Sequence, residues 1–463
     1  MQMTLTDELT DPTAELTGGD DAHRRRITNV NAWFEGLDGD VRSALNALGE
    51  LLIGVLERER PETADKFTAR CLGVPDSGHL LDEERELNPV ARLTIPLALA
   101  EWIEAYADAC EIGPGEYTNP PKWTQTEIGG KRYRHPLCLR VHFPAGTLLD
   151  DTGCVIHIEA RESVMRSAEV SAYVTPENQA HARAVLDRLA ERAIELNPYR
   201  GRAVRAAYVQ GLSFTAIDLP TTATRETVIV PREVWTEVDL GVTAVRDRYE
   251  VLNAHDLGAR RGVLLCGPPG TGKSAVSAVV AREVVGEFTV IYVEAKAGAE
   301  LLTAVVEEAQ RLGGPVLIVL EDVDLWCRDR NTGGAGLSEL LQAMDIQPDA
   351  RILTLASTND AATLDKAAIR TGRFDSVVEV GYPNAADAAR ILSALIRDIS
   401  GGRAVDTAAV VAALPERTSG SDIREVVRRA VLAGDSGSVS TATLLAEVGT
   451  GRYRAEVPRG MYL

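Results

Sequence analysis

Apolar residues recur at helical spacing through Leu45, Leu48, Leu51, Leu52 and Leu56, which predicts a helix over residues 32–59. A second helical pattern covers residues 91–110, and a turn-rich stretch follows over 114–130. The period then changes. Residues 137–143 and 154–159 are short runs rich in Val, Ile, Leu and Phe, and they read as strands. A long amphipathic helix is expected over 175–196, with Thr175 as N-cap and Pro176 at its first position. Residues 197–221 read as a connector.

From residue 260 the pattern becomes strand, loop, helix, repeated. Short apolar runs at 261–267, 288–294, 316–322, 351–357 and 376–380 alternate with helical segments. Runs that are apolar on consecutive positions and separated by helices indicate a parallel sheet covered on both faces. Beyond Pro383 the pattern is helical alone, at 385–399, 406–414 and 422–433. The predicted fold class is α/β: a five-stranded parallel sheet with helices on both faces and a helical lid, preceded by an α+β N-terminal domain. The expected boundaries are a disordered acidic tail at 1–28, a helical region at 29–128, an α+β domain with connector at 129–220, the large α/β subdomain at 221–383, the lid at 384–450 and a tail at 451–463.

Composition narrows the function classes. The chain has 463 residues, 45% of them apolar, enough for a sizeable core and for two to four domains. A formal net charge of −19 weighs against a nucleic-acid partner, because phosphates repel an acidic surface. The densest basic run, His23-Arg24-Arg25-Arg26, lies in the polar N-terminal tail. The six cysteines are scattered without a C-x-x-C pair, so they read as reduced, packed thiols rather than zinc ligands. His142 and His157, on strand patterns, read as half-buried sheet residues. The start lacks the basic and apolar regions of a signal peptide, and no apolar run approaches a bilayer span. A cytoplasmic protein without a membrane segment is expected.

One segment carries specific chemistry. Gly267-Pro268-Pro269-Gly270-Thr271-Gly272-Lys273-Ser274 fits G-x-x-x-x-G-K-[ST], and it follows a strand and opens a helix, as the motif requires. Its glycines let backbone N–H groups surround a β-phosphate, and the helix N-terminus adds positive potential. Lys273 would neutralise β- and γ-phosphate charge, and the Ser274 hydroxyl would be a Mg²⁺ ligand. ATP and Mg²⁺ are therefore the expected cofactors. The run Val316-Leu317-Ile318-Val319-Leu320 ends in Glu321 and Asp322, at the carboxyl edge where an α/β sheet builds its site. One carboxylate would orient Mg²⁺ and the next would polarise the attacking water.

These segments resemble the AAA family of ATPases over about residues 225–435. Residues 261–267 resemble the family's first strand, and Leu355-Ala356-Ser357-Thr358-Asn359-Asp360 resembles its sensor-1 strand, which implies that Asn359 reads the γ-phosphate. Residues 364–375 resemble the second region of homology. That resemblance implies that Arg370 and Arg373 are arginine fingers, reaching the nucleotide of a neighbouring subunit in a homo-oligomer, most simply a hexamer. Gly420-Ser421-Asp422 stands where the family usually has Gly-Ala-Asp.

Two departures qualify the resemblance. The family ends its acidic strand with Asp then Glu, whereas Glu321 precedes Asp322 here, an order similar to the mitochondrial inner-membrane AAA translocase branch. Glu321 is then the expected metal-side acid and Asp322 the favoured base, with the reverse assignment open. Members that thread polypeptide carry an aromatic–apolar–Gly loop after the second strand, where this chain has Ala295-Lys296-Ala297-Gly298, with Tyr292 nearby. The last residues, Met461-Tyr462-Leu463 after Gly460, resemble the docking tail of actinobacterial proteasomal ATPases, which implies a 20S-type peptidase as partner. Two uses of ATP follow: a ring that remodels or translocates a protein substrate, or an ATP-driven switch in a nucleic-acid or defence complex.

Overall fold

The computed structural model describes residues 34, 36–59, 61–161, 167–208, 212–293, 298–324, 350–359, 373–434 and 437–454; for 52–59 and 298–300 it describes the backbone alone. The chain forms two compact units, Met1–Glu62 and Thr63–Leu463. In the first, helix α1 (Gly39–Glu59) leaves Leu45, Leu48 and Leu51 exposed. It begins later than the apolar spacing predicts. The expected disordered tail at 1–28 lies outside the described residues.

The second unit opens with α2 (Ala64–Cys71) and an antiparallel sheet of six strands: β1 (Leu81–Glu86), β2 (Glu111–Gly113), β3 (Lys122–Ile128), β4 (Lys131–Phe143), β5 (Cys154–Glu159) and β6 (Glu169–Val174). Their order is β1-β6-β5-β4-β2, and β3 also pairs with β4. Helices α3 (Ala91–Ala105) and α4 (Gln179–Glu195) supply Leu99, Val185 and Leu189 to a core shared with Leu139, Val141 and Ile156 of the sheet. Thr175 flanks a 3₁₀ turn, Pro176–Asn178, and makes no side-chain cap, so the regular helix starts at Gln179.

This corrects the expectation of a helical region at 29–128. Three strands of the sheet fall inside it, and the expected boundary at 128 cuts the β3–β4 hairpin, whose turn is Gly129-Gly130. The physical reason is edge placement. Among the described residues the β1 sequence Leu-Asp-Glu-Glu-Arg-Glu pairs only with β6, and the polar β3 pairs only with β4. Edge strands carry charge to blunt further pairing, so they lack the apolar alternation that marks a strand.

The second sheet contains the five expected strands, β9 (Arg261–Cys266), β10 (Thr289–Val293), β11 (Val316–Leu320), β12 (Ile352–Thr358) and β13 (Ser376–Glu379), all parallel. It also contains two that were expected in the connector. β7 (Ala203–Tyr208) pairs in parallel with β10, and β8 (Leu212–Ala216) closes the edge antiparallel to β7. The full order is β13-β9-β12-β11-β10-β7-β8. The connector is thus part of the sheet, and a boundary at 220 separates strands that share a ladder. Gly201 allows the approach: its backbone has φ +72°, and a Cβ there would lie 2.6 Å from Gly286 O.

Helices α5 (Arg232–Arg246), α6 (Tyr249–Ala254), α7 (Lys273–Val284) and α8 (Gly298–Arg311) belong to this α/β layer. The N-terminal sheet and the ATPase-like sheet share a core, in which Val90, Leu93 and Ile128 meet Leu301, Val305 and Ile318. A polar contact seals it. Glu308 of α8, 1% exposed, accepts from the Val90 backbone N–H at 2.8 Å, and so joins Asn88, whose Oδ1 accepts from Ala91 N–H at 2.9 Å, in capping the start of α3. Burial pushes the Glu308 carboxyl above its ordinary range.

The lid consists of α9 (Ala385–Ile396), α10 (Thr407–Ala413), α11 (Gly420–Ala433) and α12 (Thr441–Thr450), packed around Leu392, Ile423, Val426 and Leu444. The last helix escaped the sequence pattern; Ser440 and Thr443 form its capping box. Among the described residues no helix is long and apolar enough to cross a membrane.

Candidate nucleotide-binding site

The site lies at the carboxyl ends of the parallel strands. β9 runs out at Cys266, and the chain turns through Gly267 (φ +151°), Gly270 (φ +78°) and Gly272 (φ +109°) before α7 begins at Lys273. Two of these glycines are required by space as well as by φ. A Cβ at 267 would lie 2.2 Å from Val380 O, and one at 270 would lie 2.0 Å from Ser421 Oγ. The loop is therefore pinned between β13 and the lid. Ser421 N donates to Gly270 O at 3.0 Å, so the N-terminus of α11 sits on the phosphate loop.

Lys273 is 6% exposed, and its Nζ donates to Gly267 O and Pro268 O, both at 2.8 Å. Burial lowers its pKa, while the carboxylates of Asp322 and Asp324 pull it back up. An ammonium held among carbonyls in a half-buried loop is poised for a stronger anionic acceptor.

Asp322 and Asn359 complete the wall. Asp322 has φ +53°, a left-handed backbone that residues with a Cβ seldom adopt. Its N–H donates to Ser357 Oγ at 3.3 Å, and its Oδ1 accepts from Asn359 Nδ2 at 3.0 Å. Asp324, 2% exposed, accepts from Thr358 Oγ1 at 3.2 Å and from Asn359 N at 3.1 Å. Two acids at the end of β11 are thus tied to the end of β12.

A cleft of about 400 Å³ gathers these groups. Pro269, Gly270, Thr271, Gly272, Lys273 and Ser274 line it, together with Asp322 and Asn359. Further walls come from Thr227-Val228-Ile229, from Ile391 and Leu395 of the lid, and from Gly420, Ser421 and Arg424 at the start of α11. The sequence reading marked Gly420 and Ser421 but missed Thr227-Val228-Ile229, Ile391, Leu395 and Arg424; Arg424 adds a cation from the lid, and the apolar side chains suit the flat face of a base. The signal for them was faint, since each is an ordinary residue brought in by the tertiary fold. Glu321 is not among the lining residues. Its charge is felt at Tyr292 on β10, whose hydroxyl is pushed up to about 12, chiefly by burial and then by Glu321.

The residues present fit a Mg²⁺-bound nucleoside triphosphate: glycine-built backbone, a buried ammonium, a hydroxyl at Ser274 and a carboxylate at Asp322 share one cleft. Arg373 is described and partly buried, outside the cleft lining. Arg370, the loop residues 295–297 and Met461, Tyr462 and Leu463 lie outside the described residues.

Comparison with known proteins agrees with this geometry. Residues 263–382 match the family model described as "ATPase family associated with various cellular activities (AAA)". The chain is similar to ATP-dependent zinc metalloprotease FtsH of Rhodococcus erythropolis, 33% identical over 247 residues, 47% of this chain and 28% of the relative. The protein of that name from Cupriavidus metallidurans is 34% identical over 193 residues, 38% and 29% of the two chains. That of Mycobacterium leprae is 32% identical over 247 residues, 47% and 31%. The matches thus span less than a third of these relatives' length. The present sequence contains no H-E-x-x-H, the two-histidine helix motif of zinc proteases. With its phosphate loop and its acidic strand end inside the matched segment, residues 263–382 form an ATPase domain of the AAA type.

Proposed function

We propose that this protein hydrolyses ATP, with Mg²⁺, at the subunit interfaces of a homo-oligomeric ring, most simply a hexamer, and spends the nucleotide cycle on remodelling a protein substrate. The observation that carries the reading is the convergence of Lys273, Ser274, Asp322 and Asn359 on one cleft roofed by the lid. Backbone N–H groups of the phosphate loop and Lys273 would hold the phosphates, and Ser274 would hold the metal, which supplies charge neutralisation between phosphate oxygens. Asp322, aimed into the cleft and steadied by Asn359, would orient the attacking water. Arg370 and Arg373 would act on the neighbour's nucleotide.

The Ser421–Gly270 hydrogen bond supports coupling of this chemistry to motion. A lid bonded to the phosphate loop feels whether phosphate is present. The acidic surface favours a protein substrate over nucleic acid, and a cytoplasmic location is proposed with it. A switch that does not thread polypeptide is the second reading, favoured by the lack of an aromatic in Ala295-Lys296-Ala297-Gly298.

A trap experiment decides between them. Asp322→Asn protein, loaded with ATP, should retain a polypeptide substrate and unfold none. Retention of DNA but no protein would favour the switch. Docking through Met461, Tyr462 and Leu463 is tested by adding a 20S-type peptidase: deletion of these residues should leave ATP turnover intact and abolish gate opening.

A further inference from the structure

Glu111 on β2 and His142 on β4 are direct register partners, so their side chains stand beside each other on one face of the N-terminal sheet. It is the face away from the main core. Along β4, Leu139, Val141 and Phe143 enter that core, and the alternate residues Arg140 and His142 face the other way. Helix α2 covers this second face and is fixed there at two places. Arg140, 8% exposed, donates to Ala64 O at 2.9 Å and Thr68 Oγ1 at 2.6 Å. Phe67 packs so tightly on β2 that a Cβ added at Gly113 would lie 2.5 Å from its ring. Held this way, α2 ends with Cys71 at the Glu111–His142 pair. The ligand atoms of Cys71, Glu111 and His142 all lie within 4.8 Å of one another, and Cys71 Sγ is 4.0 Å from Glu111 Oε2.

We propose that Cys71, Glu111 and His142 form a binding site for a divalent transition-metal ion of the zinc type, separate from the nucleotide cleft. A thiolate, an imidazole and a carboxylate are the ligand types zinc takes, and three protein ligands leave a tetrahedral position for water or an incoming group. Metal–ligand bonds of about 2.0–2.3 Å require the three groups to draw in by roughly an ångström. Glu111 is exposed and Cys71 partly so, and both can move by side-chain rotation. Arg70 donates to Glu111 Oε1 at 2.7 Å and to Oε2 at 3.1 Å. It is placed to orient the carboxylate from Oε1 while Oε2 turns to the metal, the role an outer partner plays for a ligating carboxylate. Binding converts the Cys71 thiol to a metal thiolate and releases its proton to solvent.

The three ligands come from a helix end and two strands, 40 and 31 residues apart in sequence. No spacing rule would have joined them, which is why the scattered cysteines read as inert.

The test uses the full chain, stripped with a chelator and free of nucleotide. Cobalt titration should give one equivalent bound, with a thiolate-to-cobalt charge-transfer band that zinc displaces, and one proton released per ion. Cys71→Ser should lose the band. His142→Gln and Glu111→Gln should each weaken binding roughly tenfold or more. Cys110→Ser, a neighbouring partly exposed thiol, should keep it. Absence of the band, its survival in Cys71→Ser, or indifference to both His142→Gln and Glu111→Gln would overturn the site. If Cys71→Ser fails to fold by circular dichroism, the other two variants decide alone.

Discussion

Asn359 donates its side-chain amide to Asp322 at 3.0 Å, joining the ends of two adjacent parallel strands. The bond explains how a carboxylate one methylene shorter than glutamate is aimed. Asp322 leaves the strand through a left-handed backbone, and β12 catches it twice, at its N–H through Ser357 and at its carboxylate through Asn359. Glu321, one residue earlier, does not line the cleft, and its charge helps raise Tyr292 on β10. The two acids therefore differ in surroundings, and so should their variants.

Asp322→Asn is expected to bind ATP with near-normal affinity and to lose turnover by roughly a hundredfold or more, the scale seen when one preorganised group is removed from a reacting centre. Glu321→Gln should cost less in turnover and shift the Mg²⁺ dependence. Steady-state ATPase assays with a magnesium titration check both. The opposite ranking would make Glu321 the base.

Lys273→Ala should abolish nucleotide binding or hydrolysis. The ammonium already sits in carbonyl contacts at 2.8 Å, and without it the phosphate charge has no buried counter-ion. Fluorescent-nucleotide titration and turnover at saturating ATP measure the loss. Turnover near that of the unmodified chain would remove the phosphate-loop assignment.

Arg373→Ala subunits and Asp322→Asn subunits should each be inactive alone and should recover part of the activity when mixed. Some interfaces then carry one intact acid and one intact arginine. Activity against mixing ratio reads this directly, and a flat zero across all ratios argues against action between subunits.

Acid should destabilise the N-terminal sheet through His157. Burial, with Arg140 beside it, pushes this imidazole down to about 4, and its Nε2 has no hydrogen-bond partner among the described residues. The unfolded chain takes up the proton as pH falls below 6.5, and the folded chain does so only near 4. Stability is therefore full above 6.5 and falls through that window, by on the order of 3 kcal/mol at its lower end. His135 and His142, also lowered, act in the same direction; Glu308, raised, acts oppositely. Melting temperature against pH for the unmodified chain and for His157→Phe isolates the effect, since the variant should show a shallower decline.

The parts legible in the sequence were those whose signal is local. The phosphate loop needs fixed residues at fixed spacing, and each central parallel strand is a dense apolar run such as Val316–Leu320. What stayed hidden depends on pairing. The charged β1 and the alanine-rich β7 are strands because of their neighbours, β6 and β10. Arg424 and Ile391 enter the cleft because the lid folds over it. Likewise Glu308 looks like one more helix carboxylate until Val90 arrives to be capped.

The parallel ladder between β7 and β10 sets a path for mechanical load. Its hydrogen bonds run across the strands, so tension along the chain loads several of them at once, in shear, instead of unzipping them singly. A fragment begun at residue 221 would lose β7 and bare the Thr289–Val293 edge to other chains.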